Sequence, residues 1–201
     1  MSTAEVRSDE RAVRGTTSPV LGMVLFVASE AMFFAAFFAV YAIAYSSARI
    51  WPPKGIAVPS LAVPSVATAV IAVSSLSMQL GVGAIRRGDT RALNRWMGAT
   101  LVLGVAFVAL QLAGYSQVDF GISSGIFGSL FYVMTGVALA HVAGGVVFLV
   151  MVITRAVTGQ VTPVRYESAE AAAIYWHFVV VVSVAIYVAF FLLVSVHAKG
   201  P

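Results

Sequence analysis

The stretch PVLGMVLFVASEAMFFAAFFAVYAIAY, residues 19–45, decides the architecture of this chain. It is apolar for more than the roughly 20 residues that an α-helix needs to cross a hydrocarbon core. Glu30 is the one charged residue between Arg14 and Arg49. Four further apolar runs follow, and the set lies at about 19–45, 61–84, 96–117, 126–154 and 171–196, each of spanning length. The runs are continuous rather than alternating, which excludes a barrel, and an unpaired strand could not satisfy its backbone in lipid. The predicted fold is therefore all-α, an integral membrane bundle of five transmembrane helices spanning residues 18–201, preceded by a polar cytoplasmic tail over residues 1–17.

Composition agrees. Hydrophobic residues make up 60% of the chain and charged residues only 10%, whereas soluble domains carry roughly 25% charged residues. Mean hydropathy is +0.96. The chain has no cysteine, which excludes disulfides, thiolate metal sites and thiol nucleophiles. The net charge of +4 does not point to nucleic acid, because the arginines lie in short segments between apolar runs, where they orient a protein in a membrane. Nine Lys and Arg residues fall on the side of the N-terminal tail and three, Arg49, Lys54 and Lys199, on the other. The expected topology has the N-terminus cytoplasmic and the C-terminus outside. The first apolar run is too long for a cleaved signal peptide, so it is expected to stay in the mature protein.

Local signals refine the spans. Trp51-Pro52-Pro53 cannot continue a helix, because proline lacks a donor and restricts the residue before it. Trp51 is thus expected as an interfacial anchor, as is Trp176 within the aromatic group Tyr175-Trp176-His177-Phe178. Pro64 is tolerable in the first turn of the second helix. Gly136, Ala140 and Gly144 form a ridge of small residues on which another helix can approach closely.

The chemistry open to the chain is narrow. It has no nucleotide-binding glycine pattern and three histidines, His141, His177 and His197. These do not build a multi-imidazole haem or copper centre, and no resident cofactor or metal is expected. Gly121-Ile122-Ser123-Ser124-Gly125 has the G-x-S-x-G form of a nucleophile elbow but lies between membrane helices instead of in a strand-turn-helix. An intramembrane hydrolase pairing Ser123 or Ser124 with His141 is the one enzymatic variant it leaves. Glu30 lies about 11 residues into its run, or about 16 Å, near mid-membrane. An ionised carboxylate there costs several kcal/mol, so Glu30 is expected to be protonated, hydrogen-bonded to another helix or facing a polar cavity. A free-standing transporter using Glu30 as a proton site is a second class, although paired repeats and interrupted helices are not apparent.

Ser29-Glu30-Ala31-Met32-Phe33-Phe34, Trp51-Pro52-Pro53, Gln111 with Tyr115, Gly128-Ser129-Leu130-Phe131-Tyr132, Thr135-Gly136 with His141-Val142 and Gly144, and Tyr175-Trp176-His177-Phe178-Val179 follow one another along the chain. In that order they resemble subunit III of the haem-copper cytochrome c oxidases, in its shorter five-helix bacterial form. The resemblance implies a non-catalytic subunit of an aerobic terminal oxidase in the bacterial cytoplasmic membrane. It implies subunit I and subunit II as partners, with haem and copper held there, bound phospholipid in a cleft, support of proton uptake and resistance to turnover inactivation; a cytochrome bc-type supercomplex is a further partner it leaves open. On the same ground Glu30, His141 and His177 form an intramembrane polar or lipid-cleft site. The chain departs from the family pattern at Ala138, Gly114 and Val180, where the family reads His, Glu and Asp, so a proton-relay role has fewer groups to run on. A subunit-III-like protein of a quinol oxidase or nitric oxide reductase is the alternative.

Overall fold

A computed structural model describes residues 18–57 and 60–197; the polar tail over 1–17 and Lys199 lie outside these, as does the side chain of His197. Among the described residues five helices are long and apolar enough to span a membrane, and none of the named elements is a strand. They are α1 (Ser18–Ser47), α2 (Ala62–Arg86), α3 (Thr90–Tyr115), α4 (Gly125–Val157) and α5 (Glu167–Tyr187). A π-helical turn, Val188–Leu192, carries α5 into the short α6, Leu193–His197.

The helices begin earlier than hydropathy alone suggests at α3 and α5. Asp89 accepts a hydrogen bond from the Ala92 N–H at 2.8 Å, capping α3 one residue before Thr90. A polar first turn with Arg91, Asn94 and Arg95 then extends the helix past the apolar run. At α5 the added turn carries Glu167 and Glu170, where negative charge favours a helix N-terminus. Between α2 and α3 the chain reverses at Gly88, whose φ of +89° suits glycine. The Asp89 N–H reaches back to the Ala84 carbonyl there, closing the α2 C-terminus.

Contact between elements is unequal. The α2/α3 hairpin is the most closely joined pair; α4 and α5 pack against it, and α1 packs chiefly on α5 with a lighter touch on α4. One half of the core is aliphatic and gathers Ile71, Met78, Leu93, Met97 and Leu149 around Trp176. The other, around the start of α4 and the end of α5, is aromatic, with Phe34, Tyr41, Trp51, Phe127, Phe131 and Phe190. Phe178 packs against both halves.

Trp176 sets the spacing of the bundle. It is 1% exposed, and its indole N–H donates to Ser74 Oγ of α2 at 2.9 Å. A Cβ placed on Gly104 of α3 would stand 2.5 Å from Trp176 Cη2, and one on Gly145 of α4 would stand 3.0 Å from Cζ3. The ring thus fills a slot that two glycines open, in contact with three other helices. Trp176, expected as an interfacial anchor, is held in the protein core, with its N–H bonded on α2 and its ring between backbones.

Trp51 is also turned inward. It is 7% exposed and packs edge-on against Tyr41, Tyr45 and Phe127. Its Nε1–H donates to the Tyr41 hydroxyl at 3.3 Å, and that hydroxyl donates to the Ala189 carbonyl at 2.5 Å. Ala189 lies in the π turn, where the Leu193 N–H reaches back five residues to the Val188 carbonyl. The pair ties the end of α1 and its following loop to this turn.

The small-residue ridge is little used within the chain, where only the Tyr175 hydroxyl comes near Gly144, 3.6 Å from a Cβ placed there. Ala140 and Gly144 are exposed and nothing lies within 4 Å of a Cβ on Gly136. Gly145, one position round the helix, makes the close contact instead.

Gly104→Ala should overpack the Trp176 slot and destabilise the bundle by about 1–3 kcal/mol. Gly98→Ala, in the same helix with nothing within 4 Å of its Cβ, should be neutral or slightly stabilising. Thermal unfolding of both variants in mild detergent checks the contrast; equal melting would remove Trp176 from this role.

Candidate functional site

Glu30 and His141 meet. Helix α1 presents Glu30 on the side that faces α4, and His141 stands midway along α4, so both side chains sit near half-height of the bundle. His141 Nε2 lies 3.0 Å from Glu30 Oε2, and the two side chains are 17% and 21% exposed, respectively. Phe33 and Phe34 flank the imidazole, Phe34 edge-on with ring centroids 5.1 Å apart. The Tyr175 hydroxyl donates to the His141 carbonyl at 2.9 Å and so joins α5 to the same turn of α4.

The protons of this pair follow from hydrogen-bond chemistry. His141 Nδ1 is 2.8 Å from the Val137 carbonyl. A carbonyl oxygen only accepts, so Nδ1 carries a hydrogen. Nε2 then either accepts a hydrogen from the carboxyl group or donates its own to a carboxylate. In both arrangements one proton lies between Oε2 and Nε2, and the pair has no net charge. A carboxyl group on an apolar helix is thereby accommodated without an isolated charge.

His177 does not join them. Its Nδ1 lies 2.6 Å from Ser75 Oγ and its Nε2 lies 3.3 Å from Gln79 Oε1, both on α2. With Gln79 accepting from Nε2–H and Ser75 donating to Nδ1, a neutral imidazole has both nitrogens satisfied. Of the three residues placed together from sequence, Glu30 and His141 form a pair between α1 and α4, while His177 belongs to the α2/α5 contact.

Other groups separate similarly. Ser124 accepts from the Gly121 N–H at 3.0 Å in the loop before α4, and His141 stands about 25 Å further along that helix at 1.5 Å per residue. The serine–histidine pairing weighed for a hydrolase is therefore not made. Among the described residues no group of three or more His, Cys, Asp or Glu could hold a metal ion.

The parts of the site that sequence did not single out are backbone or neighbour contributions. The Val137 carbonyl is invisible as a residue type, although its i, i+4 relation to His141 is a usable signal. Ser75 and Gln79 share the same spacing on α2 and mark a polar face opposite His177. Expected from this geometry is a His141 with a protonated Nδ1, in the unmodified protein and in Glu30→Gln alike, because the Gln amide can donate to Nε2. Nitrogen-15 shifts of the labelled histidine read this directly, and a neutral ring with its only hydrogen on Nε2 would contradict it.

A family model described as cytochrome c oxidase subunit III matches residues 8–195. The chain is 34% identical over 175 residues to cytochrome c oxidase subunit 3 of Synechocystis sp., covering 87% of this chain and 75% of that one. It is 38% identical over 174 residues to the probable cytochrome c oxidase subunit 3 of Nocardia farcinica, covering 83% and 84%. With the subunit 3 of Rattus norvegicus it shares 36% identity over 179 residues, covering 85% and 67%. Taken with five apolar helices in one bundle, these matches show that the chain belongs to the cytochrome c oxidase subunit III family and is a multi-pass subunit III of a haem-copper oxidase.

Proposed function

We propose that this chain packs beside subunit I of a proton-translocating terminal oxidase, in a complex with subunit II, and supports proton uptake and bound phospholipid without carrying a redox centre. The observation that carries this reading is the Glu30–His141 pair, one proton held between two helices at half-height and partly open to the membrane side. Such a pair can exchange a proton with its surroundings while staying neutral at rest. The outward ridge of Ala140 and Gly144 supports close approach by a helix of another subunit. Helix α1 contributes a broad second surface, with Leu25, Met32 and Ile43 strongly exposed. The electrons and oxygen chemistry belong to haem and copper in the partner subunits, and the setting is the bacterial cytoplasmic membrane. Membership of a cytochrome bc-type supercomplex extends the same reading.

The pair also has a structural part, which substitution separates from the proton-holding part. Glu30→Gln keeps a hydrogen bond to Nε2 and removes the ionisable group, so haem content and lipid content of the purified oxidase should stay near normal. Glu30→Ala leaves Nε2 without its partner, a loss worth about 1–3 kcal/mol, and both contents should fall. A role in proton supply predicts that the two variants lose oxygen consumption alike at alkaline pH, where protons are scarce, after correction for haem. If Glu30→Gln follows the unmodified enzyme at every pH, the pair only joins helices.

Topology follows from charge. Nine basic residues against three support an N-terminus in the cytoplasm and a C-terminus outside. A reporter active only outside the cytoplasm, fused after Pro201, should give signal; a silent fusion together with an active N-terminal one would reverse the orientation.

A further inference from the structure

Two adjoining spaces lie inside the bundle, away from the Glu30–His141 pair. One is bounded by α2, α3, α4 and α5, with Thr68, Gln111, Thr135, Ala138 and Ser183 in its wall. The second shares Pro64, Gln111 and Phe191 with it and runs past Gly114 to Ser60 at the start of α2. Counted out to their mouths they measure about 370 and 390 Å³, and the closed part of each has room for a water-sized molecule. Phe191, which borders both, belongs to the π turn, a backbone form that recurs at functional sites.

Polar groups in this wall are incompletely matched. The Gln111 side chain and the Thr68 hydroxyl have no hydrogen-bond partner among the described residues. Thr135 donates to the Phe131 carbonyl at 2.6 Å and accepts from Tyr115 at 2.9 Å, which leaves it one lone pair. Ser183 donates to the Val179 carbonyl at 2.9 Å and keeps its own acceptor capacity. Donors without acceptors and acceptors without donors therefore border one space.

We propose that this seam is a water-binding site in which Gln111 and Thr68 donate to, and Thr135 and Ser183 accept from, water entering at the Ser60 end. A buried water needs two to four polar partners and about its own volume, and this wall offers both. An apolar ligand fits less well, because it would leave the Gln111 amide desolvated and unpaired. Thr135 and Ser183 lie well inside the helices, so the site carries exchangeable hydrogens from one end of the bundle toward its middle.

The absence of cysteine from the chain permits a direct test with water as the probe. Ala138→Cys places a small thiol in the wall, and Ala172→Cys places one in the aliphatic core, where Ala172 is 2% exposed. Both are made in the assembled oxidase, and the S–H stretch is followed by infrared difference spectroscopy against the unmodified complex after transfer to D₂O. The Ala138→Cys thiol should exchange at least about tenfold faster than the Ala172→Cys thiol, and adding Gln111→Leu should slow it by about tenfold, since the amide is the strongest partner the water has. Leu139→Cys, in the same wall, is the second probe if Ala138→Cys fails to assemble. Equal exchange at the wall and core positions, or a rate indifferent to Gln111→Leu, would overturn the proposal. Normal turnover in these variants has no bearing on it, and a failed exchange test leaves the proton-holding role of Glu30 untouched.

Discussion

A helix bundle in lipid gains little from bringing apolar faces together, since acyl chains are as apolar as leucine, and must be held by close packing and by hydrogen bonds between helices. Trp176 meets both requirements in one side chain. Its ring occupies the slot opened by Gly104 and Gly145 and its N–H binds Ser74, so the distances among α2, α3, α4 and α5 are set around it. Ser77 and Thr100, 2.7 Å apart, add a hydroxyl contact between α2 and α3. The aromatic half of the core depends on the same logic, with Tyr41 and Trp51 bonded in series to the carbonyl of Ala189.

This arrangement leaves α1 in a particular position. It lies against α5 and α4, with most of its surface turned outward, and its firmest attachments are the Tyr41 bond at one end and the Glu30–His141 bond near its middle. The polar pair is thus an attachment of the peripheral helix, made by the one carboxyl group of α1. The proposed proton-holding role and the helix-joining role would use the same hydrogen bond, and Gln and Ala substitutions separate them.

The π turn joins the end of α1 to the polar seam. Its Ala189 carbonyl receives Tyr41, and its Phe191 borders the polar seam of Gln111 and Thr135. The seam and the Glu30–His141 pair lie on different faces of α4: Thr135 and Ala138 look toward α2, α3 and α5, and His141 looks toward α1. The seam and the pair are consequently separate polar regions of α4.

Sequence by itself determined the five spans and their class, because length and hydropathy are properties of each segment alone and a membrane enforces them. It also marked Glu30 and His141 as residues in need of partners, since the cost of a polar group in hydrocarbon does not depend on the fold. Helix ends at Thr90 and Glu167 were less legible, because polar first turns at the membrane edge add nothing to an apolar run. Only the tertiary structure decided which polar groups meet: Glu30 with His141, His177 with Ser75 and Gln79, Trp176 with Ser74. It also turned Trp51 and Trp176 inward and made Gly145, instead of the Gly136 ridge, the close contact. The reason is rotational. An all-apolar helix has no polar face to fix which side points inward, so its azimuth is set by where large rings find glycine slots and where polar atoms find partners on other helices.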